Sequence, residues 1–345
     1  MSTVLVTGGA GYIGSHAVKA IAAGGHRVVV YDDLSAGHKE AIDALSARFG
    51  PERVTFERGD IRDVARVRAC LQRSGADAVM HFAAWLSVGE SVKDPIGYYR
   101  NNVAGALSVL EAMAAERVGM FVFSSTAAVF GNPVETPITE SHPKQPINAY
   151  GETKLAIERA LPHFERAYGI RAVVLRYFNA AGADAEGDLG EDHDPELHLI
   201  PLALAASDGG APLKLFGDDY PTPDGTCLRD YIHVSDLADA HVLALAHLMD
   251  GGASSAYNLG NGRPTSVRQV IDAVERVTGR QVAWSVAPRR EGDPAVLFAS
   301  SARIKSELGW RPRFEEIDTI VRTAAAWRER HPRGFAKSEA GNTIP

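Results

Sequence analysis

Val4-Leu5-Val6-Thr7-Gly8-Gly9-Ala10-Gly11-Tyr12-Ile13-Gly14 joins a β-branched run to a helical stretch over residues 15–23 through four glycines, and Gly24-Gly25 then stops the helix. A strand that turns directly into a helix is the first unit of a parallel sheet. Gly8 permits the turn, Gly11 lets backbone N–H groups approach an anion, and Gly14 allows the helix to pack closely. The helix N-terminus adds partial positive charge, so the stretch predicts a site for a dinucleotide pyrophosphate.

Outward from this loop the alternation continues. Residues 27–31, 54–56, 78–82, 120–123 and 172–176 read as further strands separated by helical segments, which predicts an α/β, Rossmann-like doubly wound parallel sheet of six or seven strands. After Asn179 the texture changes to Gly, Pro and acidic residues over 183–195 and again over 217–225. These loops predict a smaller C-terminal α/β substrate lobe above the carboxyl edge of the sheet. Helices are expected over 267–278 and 317–328. The implied organisation is a cofactor domain over 1–180, with segments around 230–260 returning to it, a substrate lobe over 181–330 and a polar tail over 331–345.

The bulk properties exclude several classes. A net charge of -7 with no basic run argues against a nucleic-acid surface. Cys70 and Cys227 stand far apart without CxxC spacing, so no disulfide framework and no metal site is read from the sequence. No apolar stretch approaches the roughly 20 residues that span a bilayer, and no basic leader is read, so no membrane partner and a cytoplasmic location are expected.

Asp32 and Asp33 follow the second strand, where a carboxylate accepts from the ribose hydroxyls of an adenosine and repels a ribose phosphate; NAD is therefore expected over NADP. Asp60-Ile61 after the third strand falls where adenine would be gripped. Ser124-Ser125-Thr126 ends a strand, and Asn148-Ala149-Tyr150-Gly151-Glu152-Thr153-Lys154 opens a helix. A phenol four residues before an ammonium shares one helical face with it, and the pair is suited to taking a proton from an alcohol. Tyrosine ionises near pH 10. The expectation is that Lys154, with the positive ring of the cofactor, favours the phenolate.

The glycine loop, the Ser/Thr-bearing strand and the Tyr-x-x-x-Lys helix resemble the extended short-chain dehydrogenases. The strings His81-Phe82-Ala83-Ala84, Val88-Gly89-Glu90-Ser91-Val92, Leu175-Arg176-Tyr177-Phe178-Asn179, Arg229-Asp230-Tyr231-Ile232-His233-Val234 and Tyr257-Asn258-Leu259-Gly260 are similar in particular to the UDP-glucose 4-epimerases, from about residue 3 to residue 310. The resemblance implies a redox cycle without net oxidation. Tyr150 would take the proton of the sugar 4-hydroxyl, Thr126 would bond the same oxygen, and Lys154 would hold the nicotinamide ribose. A 4-keto sugar would form against tightly held NAD, turn over and be reduced on its other face. By the same resemblance Gly8, Gly11, Tyr12, Ile13, Gly14, Asp32, Asp33, Leu34, Asp60, Ile61, Phe82, Ala83, Ala84, Leu86, Asn101, Ser124, Tyr150, Lys154 and Phe178 contact NAD. Asn179, His198, Leu199, Lys214, Phe216, Arg229, Arg290, Asp293 and Leu297 would surround the UDP-sugar, with the guanidinium groups of Arg229 and Arg290 forking onto a diphosphate.

Three departures from the family pattern stand out. His198 replaces a familiar Asn, and Trp85-Leu86 replaces a Lys near the cofactor. Leu297 replaces a tyrosine that narrows the sugar pocket in some relatives, leaving room for a 2-acetamido group or acting only in packing. A 4,6-dehydratase is disfavoured because Ala127-Ala128 follow Thr126 where it needs an Asp-Glu pair. A UDP-pentose 4-epimerase shares the machinery, and a non-catalytic NAD-sensing protein would be expected to lack Tyr150 or Lys154. Family habit also implies a homodimer through the segments over 101–116 and 155–167.

Overall fold

The structure is a computed structural model that describes residues 1–290 and 294–335. Seven strands form the main sheet: β1 Thr3–Thr7, β2 Arg27–Asp32, β3 Val54–Arg58, β4 Ala78–His81, β5 Met120–Thr126, β6 Arg171–Tyr177 and β7 Ser255–Leu259. They lie in the order β3-β2-β1-β4-β5-β6-β7, all parallel. The order reverses between β1 and β4, which opens a crevice beyond their carboxyl ends. Thr7 stands opposite both Tyr31 and His81, and Thr126 opposite Tyr177, so the strands deliver their last residues to one edge.

The sheet forms because its strands are apolar on both faces. Val4, Val6, Val28, Val30, Met80 and Val122 face one core, where helices Tyr12–Ala23 and Val234–Met249 supply Val18, Ile21, Leu237 and Leu248. Leu5, Val29, Val79, Phe121 and Phe123 face the other, against Val67, Leu71, Val109, Leu110 and Met113 of helices Val64–Ser74 and Gly105–Glu116. This period of two with no polar face is the pattern of a strand buried between helical layers.

A third core gathers later residues, including Ile200, Leu204, Leu213, Leu215, Val270, Val274, Ile320 and Val321. Helix Val267–Thr278 has the bounds expected from sequence, and a capping box between Ser266 and Gln269 fixes its start. The last helix, Ile317–Arg330, outruns the expected end by two residues. Helix Tyr12–Ala23 begins three residues before the expected start and takes Gly14, a poor helix former, into its first turn. The loop over 183–195 is tied to that helix by Lys19, whose Nζ lies 2.6 Å from Asp184 and 3.0 Å from Asp188, and to helix Lys39–Phe49 by Arg48, 2.6 Å from Asp188. Among the described residues no helix is long and apolar enough to cross a membrane.

A Cβ on Gly14 would stand 2.1 Å from the carbonyl oxygen of Gly8, whereas one on Gly89 meets nothing within 4 Å. Gly14→Ala is therefore expected to lower stability by about 1–3 kcal/mol through overpacking. Gly89→Ala should change it by no more than about 1 kcal/mol, in the stabilising direction. Paired denaturation curves check both.

Candidate active site

The crevice begins at the glycine loop. Gly8 has φ +71°, and a Cβ there would lie 2.4 Å from the Ala83 backbone nitrogen, so only glycine lets β1 and the end of β4 approach this closely. Gly11 is the N-cap of helix Tyr12–Ala23 and gives it no side-chain cap, which leaves N–H donors of the first turn directed at the crevice. Such a cradle, open to backbone donors and closed to side chains, fits a pyrophosphate.

Asp32 ends β2, is 8% exposed and receives N–H groups from Ala10 at 3.0 Å and Leu34 at 2.9 Å. Burial raises its carboxyl above the usual range against those two hydrogen bonds. Beyond the expected ribose contact, Asp32 thus braces the glycine loop. Leu34 adopts φ 63°, unusual for a branched side chain, and is held there by Asp32. At Asp60, expected beside adenine, Arg62 grips the carboxylate with Nε 2.9 Å from each oxygen and holds it below the usual range. Ile61 is a core residue packed with Val67 and Leu71. Phe82, Ala83 and Ala84 are half-buried at the β4 edge, where Phe82 stacks on His241 with ring centres 4.7 Å apart. Leu86 is exposed.

The reactive groups meet at the end of β5. Asn148 caps helix Ala149–Tyr168 by accepting from Gly151 N–H at 2.9 Å, which sets the turn carrying Tyr150 and Lys154. Tyr150 is hydrogen-bonded to Thr126, whose side-chain oxygen also accepts from Ala128 N–H at 3.1 Å. Lys154 is 4% exposed and donates to the Ser124 carbonyl at 2.8 Å. Its ammonium lies 5.1 Å from the centre of the Phe123 ring.

The electrostatic expectation requires a correction. Burial raises the Tyr150 phenol, only partly offset by the bond to Thr126, and Lys154 takes no part in the shift. Lys154 is itself lowered to about 7 by burial, opposed by Glu158. Two buried groups each favour their neutral form. A lowered phenol at this site needs positive charge from a bound ligand.

Several contributors went unread in the sequence. Glu158 accepts from Ser125 at 2.6 Å and pairs with Arg176 at 2.8 Å, both partners nearly buried. Tyr177 bonds Ser124 through its hydroxyl, interacts electrostatically with Tyr150, and is raised by burial. The strand register that sets Tyr177 beside Thr126 was the available signal. Asn101 donates to Asn102 at 3.0 Å inside a π-helix, Tyr99–Ala104. Asn102 bridges the Trp85 backbone and Thr153, linking that wide turn to the Tyr150 helix.

Phe178, expected at NAD, and Leu297, expected at the sugar, share an apolar cluster with Val129, Phe130, Ile138 and Leu155. Leu297 pairs in register with Arg229. Asn179 is fixed by the Asp230 carbonyl at 3.1 Å. The Arg290 guanidinium stacks on Phe216 at 4.0 Å, while Arg289 is held by Asp219 at 2.7 Å. Lys214 is exposed two residues before Phe216 on the same strand. Leu199 opens helix Leu199–Ser207, and His198, its N-cap residue, is engaged by Glu191. Asp293 lies outside the described residues.

The sequence pattern of the NAD dependent epimerase/dehydratase family matches residues 4–260. The chain belongs to this family. It is 50% identical over 334 residues to UDP-glucose 4-epimerase of Halalkalibacterium halodurans, covering 96% of this chain and 97% of that protein. It is similar to the crystal structure of UDP-glucose 4-epimerase from Brucella ovis in complex with NAD, at TM-score 0.90 and 49% identity, covering 94% of this chain and 98% of that one. It is also similar to the enzyme of that name from Bifidobacterium longum in complex with NAD+ and UDP, at TM-score 0.91 and 38% identity over 96% of this chain and 100% of that one. The family membership fits the crevice, since the glycine cradle, the Asp32 brace and the Tyr150 helix all lie within the matched residues.

The lowered Lys154 has a stability consequence of definite sign. Between about 7 and its ordinary 10.5 the unfolded chain keeps the ammonium proton that the folded chain has lost, so stability rises with pH across that window. The stability of the wild type relative to Lys154→Met is therefore expected to increase from neutral to alkaline pH. Denaturant midpoints of both proteins across the window test it.

Proposed function

We propose that the chain is an NAD-dependent 4-epimerase of UDP-hexoses, interconverting UDP-glucose and UDP-galactose through a 4-keto intermediate. The observation that carries this reading is the meeting of Tyr150, Thr126 and Lys154 at the end of β5, beside an uncapped glycine-loop helix. NAD, when bound, supplies a reversible two-electron acceptor and a positively charged ring beside the buried phenol. The residues of the chain do the rest. The Gly8–Gly14 cradle receives the pyrophosphate and Asp32 a ribose. Tyr150 exchanges a proton with the sugar 4-hydroxyl, and Thr126 holds that same oxygen through the cycle. Lys154, fixed on the Ser124 carbonyl, keeps the ribose edge in place. Burial of these groups keeps water from the reactive keto sugar.

For the substrate, Arg290 with Phe216 and Arg229 with Asn179 are assigned to the nucleotide, and Asp293 to the uridine ribose. Leu297 is assigned to the wall beside C2. Its half-buried aliphatic side chain favours a second activity, interconversion of the UDP-N-acetylhexosamine pair. We assign residues 1–180 and the returning strand β7 to cofactor binding, with most of 181–330 serving the substrate. A homodimer accords with the exposed apolar side chains Val92, Ile96, Tyr99 and Leu107 on consecutive helical segments. A cytoplasmic location accords with two cysteines that are both buried and stand far apart in the sequence without CxxC spacing.

Purified protein incubated without added NAD with UDP-glucose, UDP-galactose and their N-acetyl forms should yield the 4-epimers with no net oxidation; oxidised product accumulating instead would contradict the reading. Tyr150→Phe should retain bound NAD and lose about 10²–10⁴-fold in kcat. Leu297→Tyr should abolish turnover of the acetylated pair and spare the plain pair, read as the ratio of the two kcat/KM values.

A further inference from the structure

The loop between strand Asn179–Ala181 and helix Leu199–Ser207 carries a cluster of which the proposed reaction involves only His198, expected beside the UDP-sugar. Glu191, His193, Glu196 and His198 each turn one ligand atom inward, all within 4.8 Å of one another. His193 Nδ1 lies 3.3 Å from Glu191 Oε1 and 3.7 Å from Glu196 Oε2, and His198 Nδ1 lies 3.8 Å from Glu196 Oε1. His198 Nδ1 also bonds Glu191 Oε1 directly. Bonds of about 2.0–2.1 Å from a zinc-type ion to imidazole nitrogen or carboxylate oxygen set tetrahedral ligand atoms about 3.3–3.4 Å apart. The His193–Glu191 separation is already at that edge. The two Glu196 contacts, made through different oxygens, must shorten by a few tenths of an ångström, and the His198–Glu191 pair must open.

The surroundings match such a site. The Glu191 side chain is 6% exposed, and among the described residues no lysine or arginine pairs with Glu191 or Glu196. Two buried or half-buried carboxylates therefore depend on the two histidines for charge balance. Two imidazolium protons supply it, and one divalent cation supplies it equally, releasing those protons as it binds. The outer contacts are also formed. Glu196 is oriented by the N–H groups of Leu197 and His198, each at 2.7 Å. His193 packs edge-on against Tyr12 with ring centres 6.2 Å apart, and the Tyr12 hydroxyl donates to the Gly182 carbonyl at 2.6 Å.

We infer that Glu191, His193, Glu196 and His198 form a four-coordinate site for one divalent transition-metal cation of the zinc type. Two imidazoles and two carboxylates are a donor set for borderline ions rather than for calcium or magnesium, which take oxygen shells. Four protein ligands close the coordination sphere, so the ion is structural. It fastens the loop to the start of the glycine-loop helix through Tyr12, and to helix Leu199–Ser207 through His198.

The test uses the full chain, stripped with chelator and dialysed. Titration with zinc chloride alone should show one ion bound per chain, with proton release and weaker binding at mildly acidic pH. The melting temperature should rise. Cobalt chloride should give the intense visible absorption of four-coordinate cobalt, a readout independent of any variant. His193→Asn and Glu196→Gln should each weaken zinc by more than the roughly 10–100-fold lost when an outer partner is removed. No stoichiometric zinc binding, the weak spectrum of six-coordinate cobalt, or unchanged affinity in both variants would each overturn the site.

Discussion

The reactive edge depends on one buried carboxylate. Glu158 receives the Ser125 hydroxyl at 2.6 Å from β5 and the Arg176 guanidinium at 2.8 Å from β6, while sitting on the helix that carries Tyr150 and Lys154. Three elements that reach the crevice from different directions are thereby fixed to one group. A buried pair of this kind adds little over an apolar packing, yet loss of one partner strands a charge and costs about 3–5 kcal/mol. Its value lies in register: Thr126 and Tyr177 can meet Tyr150, and Ser124 can meet Lys154, only while the two strands and the helix keep their mutual offset.

The cofactor side is held by the same means on a smaller scale. Asp32 gathers Ala10 and Leu34, so the turn after β1 and the turn after β2 share one acceptor. Backbone then approaches backbone at Gly8 and Ala83, where a side chain would intrude. The two anchors differ in their balance. Asp32 is satisfied by uncharged donors and is raised by burial, whereas Glu158 has a full countercharge.

Much of this was legible in the sequence because it depends on spacing. The glycine loop, the strand alternation and the Tyr150–Lys154 interval are short-range patterns with direct geometric meaning. What escaped depends on neighbours distant in sequence. The ionisation of Tyr150 and Lys154 is governed by burial, which spacing does not encode, so the help expected from Lys154 is not found and only that of the cofactor's positive ring is left of the expectation. Asp60 was read only as a residue beside adenine, and its ion pair with Arg62, two residues on, went unread. Gly14 hid the start of its own helix, and the π-turn through Asn101 and Asn102 has no periodic signature. The four inward ligands between Glu191 and His198 lie on a loop with neither helical nor strand periodicity, and cysteine spacing, the usual guide to metal sites, is silent there.

Asp230 shows how the substrate side is organised. It is fully buried, and its carboxylate collects the N–H groups of Asn261 at 2.7 Å, Gly262 at 3.2 Å and Ala299 at 3.1 Å, while its carbonyl holds Asn179. Three separate stretches of chain are thus registered to one buried residue. The neighbouring wall position, Leu297, bears no such duty, since its strand is held by Arg229 pairing and by the backbone two residues on. On the proposed assignment of Leu297 to the sugar wall, architecture and selectivity fall to different side chains, and the wall can exchange a large residue for a small one without disturbing the frame. Substrate range in such a lobe is free to drift one residue at a time while the catalytic edge stays as it is.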